Sequence, residues 1–208
     1  HWNQTIVLEL RNSPKPEAIG RALAAVVARH GAFRLRFHCS PDGEWSQRYG
    51  EAEPVSDLPV HPAAQFEAVA TRLQASLDLT HGPLWRAAYF IGEGGACPKL
   101  FLTIHHLVVD GVSWRILATD LASACTQVAA GEVIRLAAPN GTFGAWSRAL
   151  GECAQTAEGR AELSYWRALA LAKADLPRDL ADAAEARAVA AMERVAVELD
   201  ADETRALL

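Results

Sequence analysis

The sequence predicts a two-layer α/β fold, an α+β sandwich in which a mixed, partly antiparallel sheet packs against helices. Three observations predict it. Alternation of period two marks "TIVLEL", "AFRLRFH", "LWRAAYFIG" and "KLFLTIHH". Apolar residues recur at helical spacing in three other stretches, and turn residues separate the two kinds of segment.

Taken in order, Thr5 to Leu10 is rich in β-branched and long aliphatic side chains and reads as the first strand. Ser13 and Pro14 open a helix in which Ile19, Leu23, Val26 and Val27 share a face, with Gly31 where a C-terminal cap belongs. Phe33, Leu35 and Phe37 then alternate against Arg34, Arg36 and His38, a strand with one charged face. Pro41-Asp42-Gly43 turns the chain into a hairpin. Between Pro62 and Leu79, the residues Phe66, Val69, Leu73 and Leu77 fall on one helical face. The strands on either side of "EGGACP" form an antiparallel pair that ends at His105 and His106. After Asp110 comes a helix of about five turns, with Val112, Ile116, Leu117 and Leu121 on one face and Gly131 as its stop. A loop through Pro139, Asn140 and Gly141 leads to one long helix or two in series, because Gly144, Gly151 and Gly159 each weaken it. The alanine-rich stretch 175–191 reads as a connection, "ERVAVELD" as a strand, and the last residues as the start of a new helix.

Composition excludes several function classes. The net charge of −5, with no long run of Lys or Arg, lacks the footprint of a nucleic-acid binder. No apolar run approaches the roughly eighteen residues of a membrane span, and the first residues lack the regions of a signal peptide, so the expected location is cytoplasmic. Cys39, Cys97, Cys125 and Cys153 lie far apart with no CxxC pair, which argues against a zinc knuckle or a disulfide framework. They read as reduced and mostly structural, with Cys125 filling the core. Because the chain starts in a strand and stops in a helix, it reads as a piece of a longer polypeptide.

The chemistry concentrates in "HHLVVDGVSW", residues 105–114. A loop between a strand end and a helix start is a usual place for reactive groups. A partly desolvated imidazole there stays neutral near pH 7 and takes a proton, provided a carboxylate or carbonyl sets which ring nitrogen is free; that describes a general base. Asp110 either caps the following helix or pairs with a buried arginine. Gly111 permits a conformation or a close approach that a side chain would forbid. The helix start points its amides toward the loop, where an oxyanion or enolate could be stabilised. Ser113 and Trp114 are candidates to line a substrate channel, set against capping for the serine and packing for the tryptophan. The plainer reading makes both histidines hydrogen-bonded core residues. A metal site on His106 and Asp110 lacks a further ligand at a suitable spacing, so no metal is expected. His30, His38, His61 and His81 read as solvated.

"HHLVVDG" resembles the HHxxxDG signature of the condensation-domain superfamily of non-ribosomal peptide synthetases, relatives of chloramphenicol acetyltransferase. "ARHGAFRLRF" resembles the family's RHxxLRTxF segment, and "GPLWRAAYF", "TFGAWSRAL" and "ELSYWRAL" follow in the family's order, so the likeness covers almost the whole chain. "HWNQ" and "DGVSWRIL" are more similar to epimerization domains than to peptide-bond-forming ones, although spacing alone gives Asn3 and Gln4 no role. The resemblance implies a chloramphenicol acetyltransferase-like lobe, with residues 1–208 as the N-terminal lobe of an epimerization or condensation-type domain. It implies that His106 transfers a proton at the α-carbon of an aminoacyl or peptidyl thioester, inverting it, with His105 beside it. It also implies that Arg34 pairs with Asp110, a buried pair whose loss would be strongly destabilising. The substrate would arrive on the 4'-phosphopantetheine arm of a carrier protein, with no cofactor bound permanently. The partners implied are that carrier, the second lobe and neighbouring synthetase modules. The family's glutamate of the second lobe has no match here, so activity is expected of the two-lobed domain and not of this chain alone. Alternatives are a condensation domain that uses the same histidine and a non-catalytic docking module of the same fold. The long apolar helices predict a sticky, self-associating surface.

Overall fold

A four-stranded sheet organises residues 1–152, the first of two units in the chain; the second is 153–208. The computed structural model describes residues 2–51, 55, 57–138, 141–170, 193 and 195–208. Its strands are β1 (Asn3–Glu9), β2 (Leu35–Cys39), β3 (Trp45–Tyr49), β4 (Val60–Pro62), β5 (Trp85–Ile91) and β6 (Lys99–His105). The main sheet has the order β1-β6-β5-β4, and β2 and β3 form a separate hairpin. β6 pairs antiparallel with both β1 and β5, whereas β4 runs parallel to β5 and makes the sheet mixed, as the sequence predicts. β4 escapes a sequence reading because it is three residues long and ends in proline.

Three helices pack on this sheet: α1 (Pro16–Arg29), α2 (Phe66–Ala75) and α3 (Gly111–Ala129). Ile6, Leu8, Ala87, Tyr89, Leu100 and Leu102 meet Ile19, Leu23 and Val26 of α1 and Leu121 and Ala124 of α3 on one face. Val69 and Ala70 of α2 cover Ala88, Phe90 and Phe101 on the other. Each large aliphatic or aromatic side chain buried this way contributes roughly 1.5–3 kcal/mol. These contacts hold the end of β6 and the start of α3 in place.

The structure corrects several local expectations. Gly31 is not a left-handed cap; it opens a 3-10 turn, Gly31–Arg34, that carries Phe33 into the core. Arg36 does not lie on a charged face. It is 8% exposed, its Nε donates to the His81 carbonyl at 2.9 Å, and its Nη1 donates to the carbonyls of Leu35 and Phe33. A cation is tolerated there because backbone oxygens replace its water. Gly82 is required beside it: φ is +78°, and a Cβ would stand 2.3 Å from the Arg36 guanidinium carbon. On α3, Trp114, Leu117, Leu121, Ala124 and Val128 face the core, while Val112 and Ile116 are exposed. Gly131, with φ +73°, ends the helix as expected. His30 is not solvated, since its Nε2 lies 2.7 Å from the Asp120 carboxylate and joins the end of α1 to α3. All four cysteines are free, and only Cys125 packs against the core, where burial pushes its thiol pKa up.

The predicted long helix is broken into α4 (Phe143–Gln155), α5 (Ala157–Ala161) and α6 (Leu163–Ala170). The break falls at Thr156, whose hydroxyl accepts from Gly159 N–H and caps α5. Residues 195–200 form no strand, as no neighbouring strand among the described residues offers them a ladder. The closing helix is present as α7 (Ala201–Leu207), started by a capping box between Asp200 and Glu203. The predicted connection 175–191, and Pro139 and Asn140 of the predicted loop, lie outside the described residues. No helix among the described residues is long and apolar enough to cross a membrane.

Candidate active site at the end of strand β6

β6 delivers the two histidines to one place and gives them opposite roles. His105 is the last residue of the ladder, opposite Asn3 on β1. His106 leaves it, its backbone N–H donating to the Trp2 carbonyl at 2.7 Å. The chain then turns tightly, with Val108 N–H donating to the His105 carbonyl, and Val109 anchors the turn because its side chain is buried with Val27, Phe33 and Ile104. The Val109 carbonyl is thereby set 2.9 Å from Nδ1 of His106. A carbonyl only accepts, so Nδ1 carries the hydrogen and Nε2 holds the lone pair.

Gln4 of β1 meets that lone pair. Its Nε2 is 2.9 Å from His106 Nε2, and its Oε1 accepts from the Trp114 indole N–H at 2.8 Å. An indole only donates, which fixes the amide: the oxygen faces Trp114 and the NH2 faces the histidine. His105 has the reverse arrangement, since Leu107 N–H donates to its Nδ1 at 3.2 Å and the ring hydrogen sits on Nε2. Burial is the main cause that holds His105 below the usual imidazole pKa, with positive charge nearby adding to it. In their neutral forms the two adjacent rings thus present opposite tautomers.

The Asp110 corner departs from expectation. Its carboxylate accepts from Ser113 N–H at 2.7 Å and from the Ser113 hydroxyl at 2.6 Å, and these bonds hold it below the usual carboxylate range. It is the N-cap of α3 and forms no ion pair with Arg34. The guanidinium of Arg34 instead lies 6.0 Å from the Tyr49 ring centroid, and its Nε is buried without a hydrogen bond among the described residues. The physical reason is local: a cap three residues away in sequence satisfies the carboxylate without reaching across the fold. The start of α3 is consequently occupied by an anion and is not open as an oxyanion site. Gly111 has no left-handed φ, and a Cβ there would meet nothing within 4 Å, so neither conformation nor packing inside this chain demands glycine. Ser113 and Trp114 do not line the groove described next; the serine caps, and the tryptophan packs against the core and orients Gln4.

An open groove of about 850 Å³ runs past both imidazoles, lined by Trp2, Phe37, Leu79 and Leu107 and by Trp45, Ser46 and Gln47 of the hairpin. The hairpin residues are not predicted as site residues by the sequence, and Gln4 enters there only through "HWNQ", with no role assigned. The available signal for Gln4 was a polar residue on the inward face of β1, in step with Ile6 and Leu8. Among the described residues no cluster of three or more His, Cys, Asp or Glu side chains could hold a metal.

A family profile described as Condensation domain matches residues 1–208. The chain belongs to the condensation-domain family. It is 41% identical over its whole length to one of the linear gramicidin synthase polypeptides of Brevibacillus parabrevis, of which it spans 4%. The crystal structure of the epimerization domain from the third module of tyrocidine synthetase B superposes with a TM-score of 0.74 at 31% identity, covering 88% of this chain and 43% of that one. The X-domain in its complex with OxyB from teicoplanin biosynthesis gives 0.70 at 23% identity, over 87% of this chain and 41% of that one, a likeness of fold. The chain therefore spans less than half of these structures and a small part of the synthetase. This condensation-family chain has the chloramphenicol acetyltransferase-like α/β fold, a mixed sheet packed with helices.

Proposed function

We propose that this chain is the N-terminal lobe of an epimerization domain of a peptide synthetase, and that His106 removes the α-proton of an aminoacyl or peptidyl thioester presented by a carrier protein. The observation that carries the reading is the tautomer of His106: Nδ1–H is held by the Val109 carbonyl, which leaves Nε2, against Gln4 at 2.9 Å, as the basic nitrogen of a residue that lines the groove. The identity to an epimerization domain, at 31%, supports the choice within the family.

The reaction follows from that atom. The electron pair of the Cα–H bond passes into the thioester carbonyl to give an enolate, and the proton passes to Nε2 of His106. The carrier's phosphopantetheine arm brings the thioester to the groove, whose walls are largely apolar. Inversion needs a proton returned on the opposite face, a task for an acid outside this chain's site. His105 and Asp110 hold the loop around the base, Arg34 braces the neighbouring hairpin through Tyr49, and the open space at Gly111 admits the substrate arm. A second reading, peptide-bond formation with the same histidine assisting an amine, draws support from the family's description as a condensation domain.

The test uses the complete domain, an aminoacyl carrier protein and deuterated water, with deuterium at the α-carbon read by mass spectrometry. Incorporation that disappears in His106→Ala while the protein stays folded supports epimerization. No deuterium, but a peptide once a second loaded carrier is added, assigns the lobe to condensation.

A further inference from the structure

We infer that Gln4 is a positioning residue for His106: its amide, oriented by Trp114, holds the Nε2 lone pair of the neutral imidazole until substrate displaces it. This rests on the reading of His106 as the base, and the test below separates the two. The polarity of the chain of hydrogen bonds is fixed at both ends by groups with no choice, an indole N–H that only donates and a backbone carbonyl that only accepts. Between them the donors run Trp114 Nε1 to Gln4 Oε1, Gln4 Nε2 to His106 Nε2, and His106 Nδ1 to Val109 O.

The arrangement satisfies only one protonation state of the ring. Neutral His106 accepts from Gln4. Protonated His106 would turn an Nε2–H toward another N–H, losing a hydrogen bond and placing two donors face to face. Gln4 could accept from the imidazolium only by rotating its amide, which would break its bond to Trp114 and put two donors together there. The other titratable groups near His106 are His105, which precedes it on β6, and Asp110, the cap of α3; β1 and α3 present the uncharged Gln4 and Trp114. A neutral amide therefore opposes protonation at rest by occupying the Nε2 lone pair, and the α-proton reaches that nitrogen as the Gln4 N–H is displaced. It also loosens the proton once taken, which suits a residue that must give it up again in every turnover.

The experiment compares wild type, Gln4→Glu, Gln4→Leu, Trp114→Phe and the double variant Gln4→Leu/Trp114→Phe in the complete domain. It reads the ¹⁵N signals of His106 against pH, and the pH profile of α-proton exchange. In wild type the neutral ring shows a protonated Nδ1 and a bare Nε2. Glu at position 4 accepts from both the indole and an imidazolium, so His106 holds its proton to higher pH and the acid limb of the profile moves up by roughly one to three pH units. Trp114→Phe frees the Gln4 amide to turn and moves the limb the same way by less. In the Gln4→Leu background it adds nothing, which a purely packing role for Trp114 would not predict. The inference is overturned if Gln4→Glu and Gln4→Leu leave both the ¹⁵N pattern and the acid limb where wild type has them. If wild type shows no α-proton exchange but the ¹⁵N pattern responds as stated, the epimerization reading falls and the role of Gln4 stands.

Discussion

At His106 one ring nitrogen meets a carbonyl three residues on, and the other meets a residue from far along the chain: Gln4 is 102 residues away, and Trp114, which orients it, is 110 residues from Gln4. At Asp110, four residues on, both hydrogen bonds come from Ser113, three residues further. The two corners share one loop and one signature, yet one imidazole meets a partner brought by strand pairing and the other corner is a helix cap closed by a residue three positions away. Residues that sit together in a motif need not share a task. The proposed base sits at the long-range corner, and the local one gives the loop its shape.

The most severe way to break this comparison is His106→Ala. It is expected to lower α-proton exchange by about 10²- to 10⁴-fold, while thermal unfolding stays near wild type because the side chain is exposed. A large loss of stability would show that His106 is a structural residue after all. A second contrast uses two glycines. Gly82→Ala is expected to destabilise by more than about 1 kcal/mol, since φ is +78° and Arg36 fills the space. Gly111→Ala, at an open helix start, is expected to leave denaturant unfolding unchanged and to lower exchange, by crowding the substrate arm.

The cap is sharpened by two substitutions at one position. Asp110→Ala should lower Tm by about 2–4 °C, and Asp110→Asn should leave it close to wild type, because asparagine caps as well as aspartate does. An ion pair with Arg34 would make both equally damaging. The carboxylate is held below its ordinary range in the fold, so its contribution is complete above about pH 4 and is lost as pH falls through the folded value. Acid unfolding of Asp110→Asn should lack that part of the slope. The smallest effect belongs to His105. Burial lowers its pKa, so the unfolded chain binds the proton first as pH falls below about 6.5, and stability declines from there toward the lower folded value. In His105→Gln, thermal unfolding between pH 7.5 and 5 should show a shallower decline.

Much of the fold was legible. The alternation in "LWRAAYFIG" and "KLFLTIHH" and the spacing of Ile19, Leu23, Val26 and Val27 report burial directly, because one side of each element must face the core. The charged face expected from Arg34, Arg36 and His38 was not there. Alternation states which side chains share a face, and it is silent on whether backbone carbonyls from Phe33, Leu35 and His81 wait to receive a guanidinium. The site divides the same way. The double histidine and the cap were visible in ten consecutive residues, whereas Gln4, the Val109 carbonyl and the hairpin wall of Trp45, Ser46 and Gln47 belong to contacts that no spacing encodes.

By itself the sequence determined the class of the fold and the loop that holds the double histidine and the helix cap. These depend on periodicity and on local hydrogen bonding within a few residues. Only the tertiary structure decided that Arg34 lies against Tyr49 and not against Asp110, that the two histidines carry opposite tautomers, and that Gln4 stands against Nε2 of His106. A tautomer is set by the partner of the other ring nitrogen, and here that partner is a carbonyl fixed by the buried Val109 side chain, while β1 and α3 bring together Gln4 and Trp114, 110 residues apart in the chain.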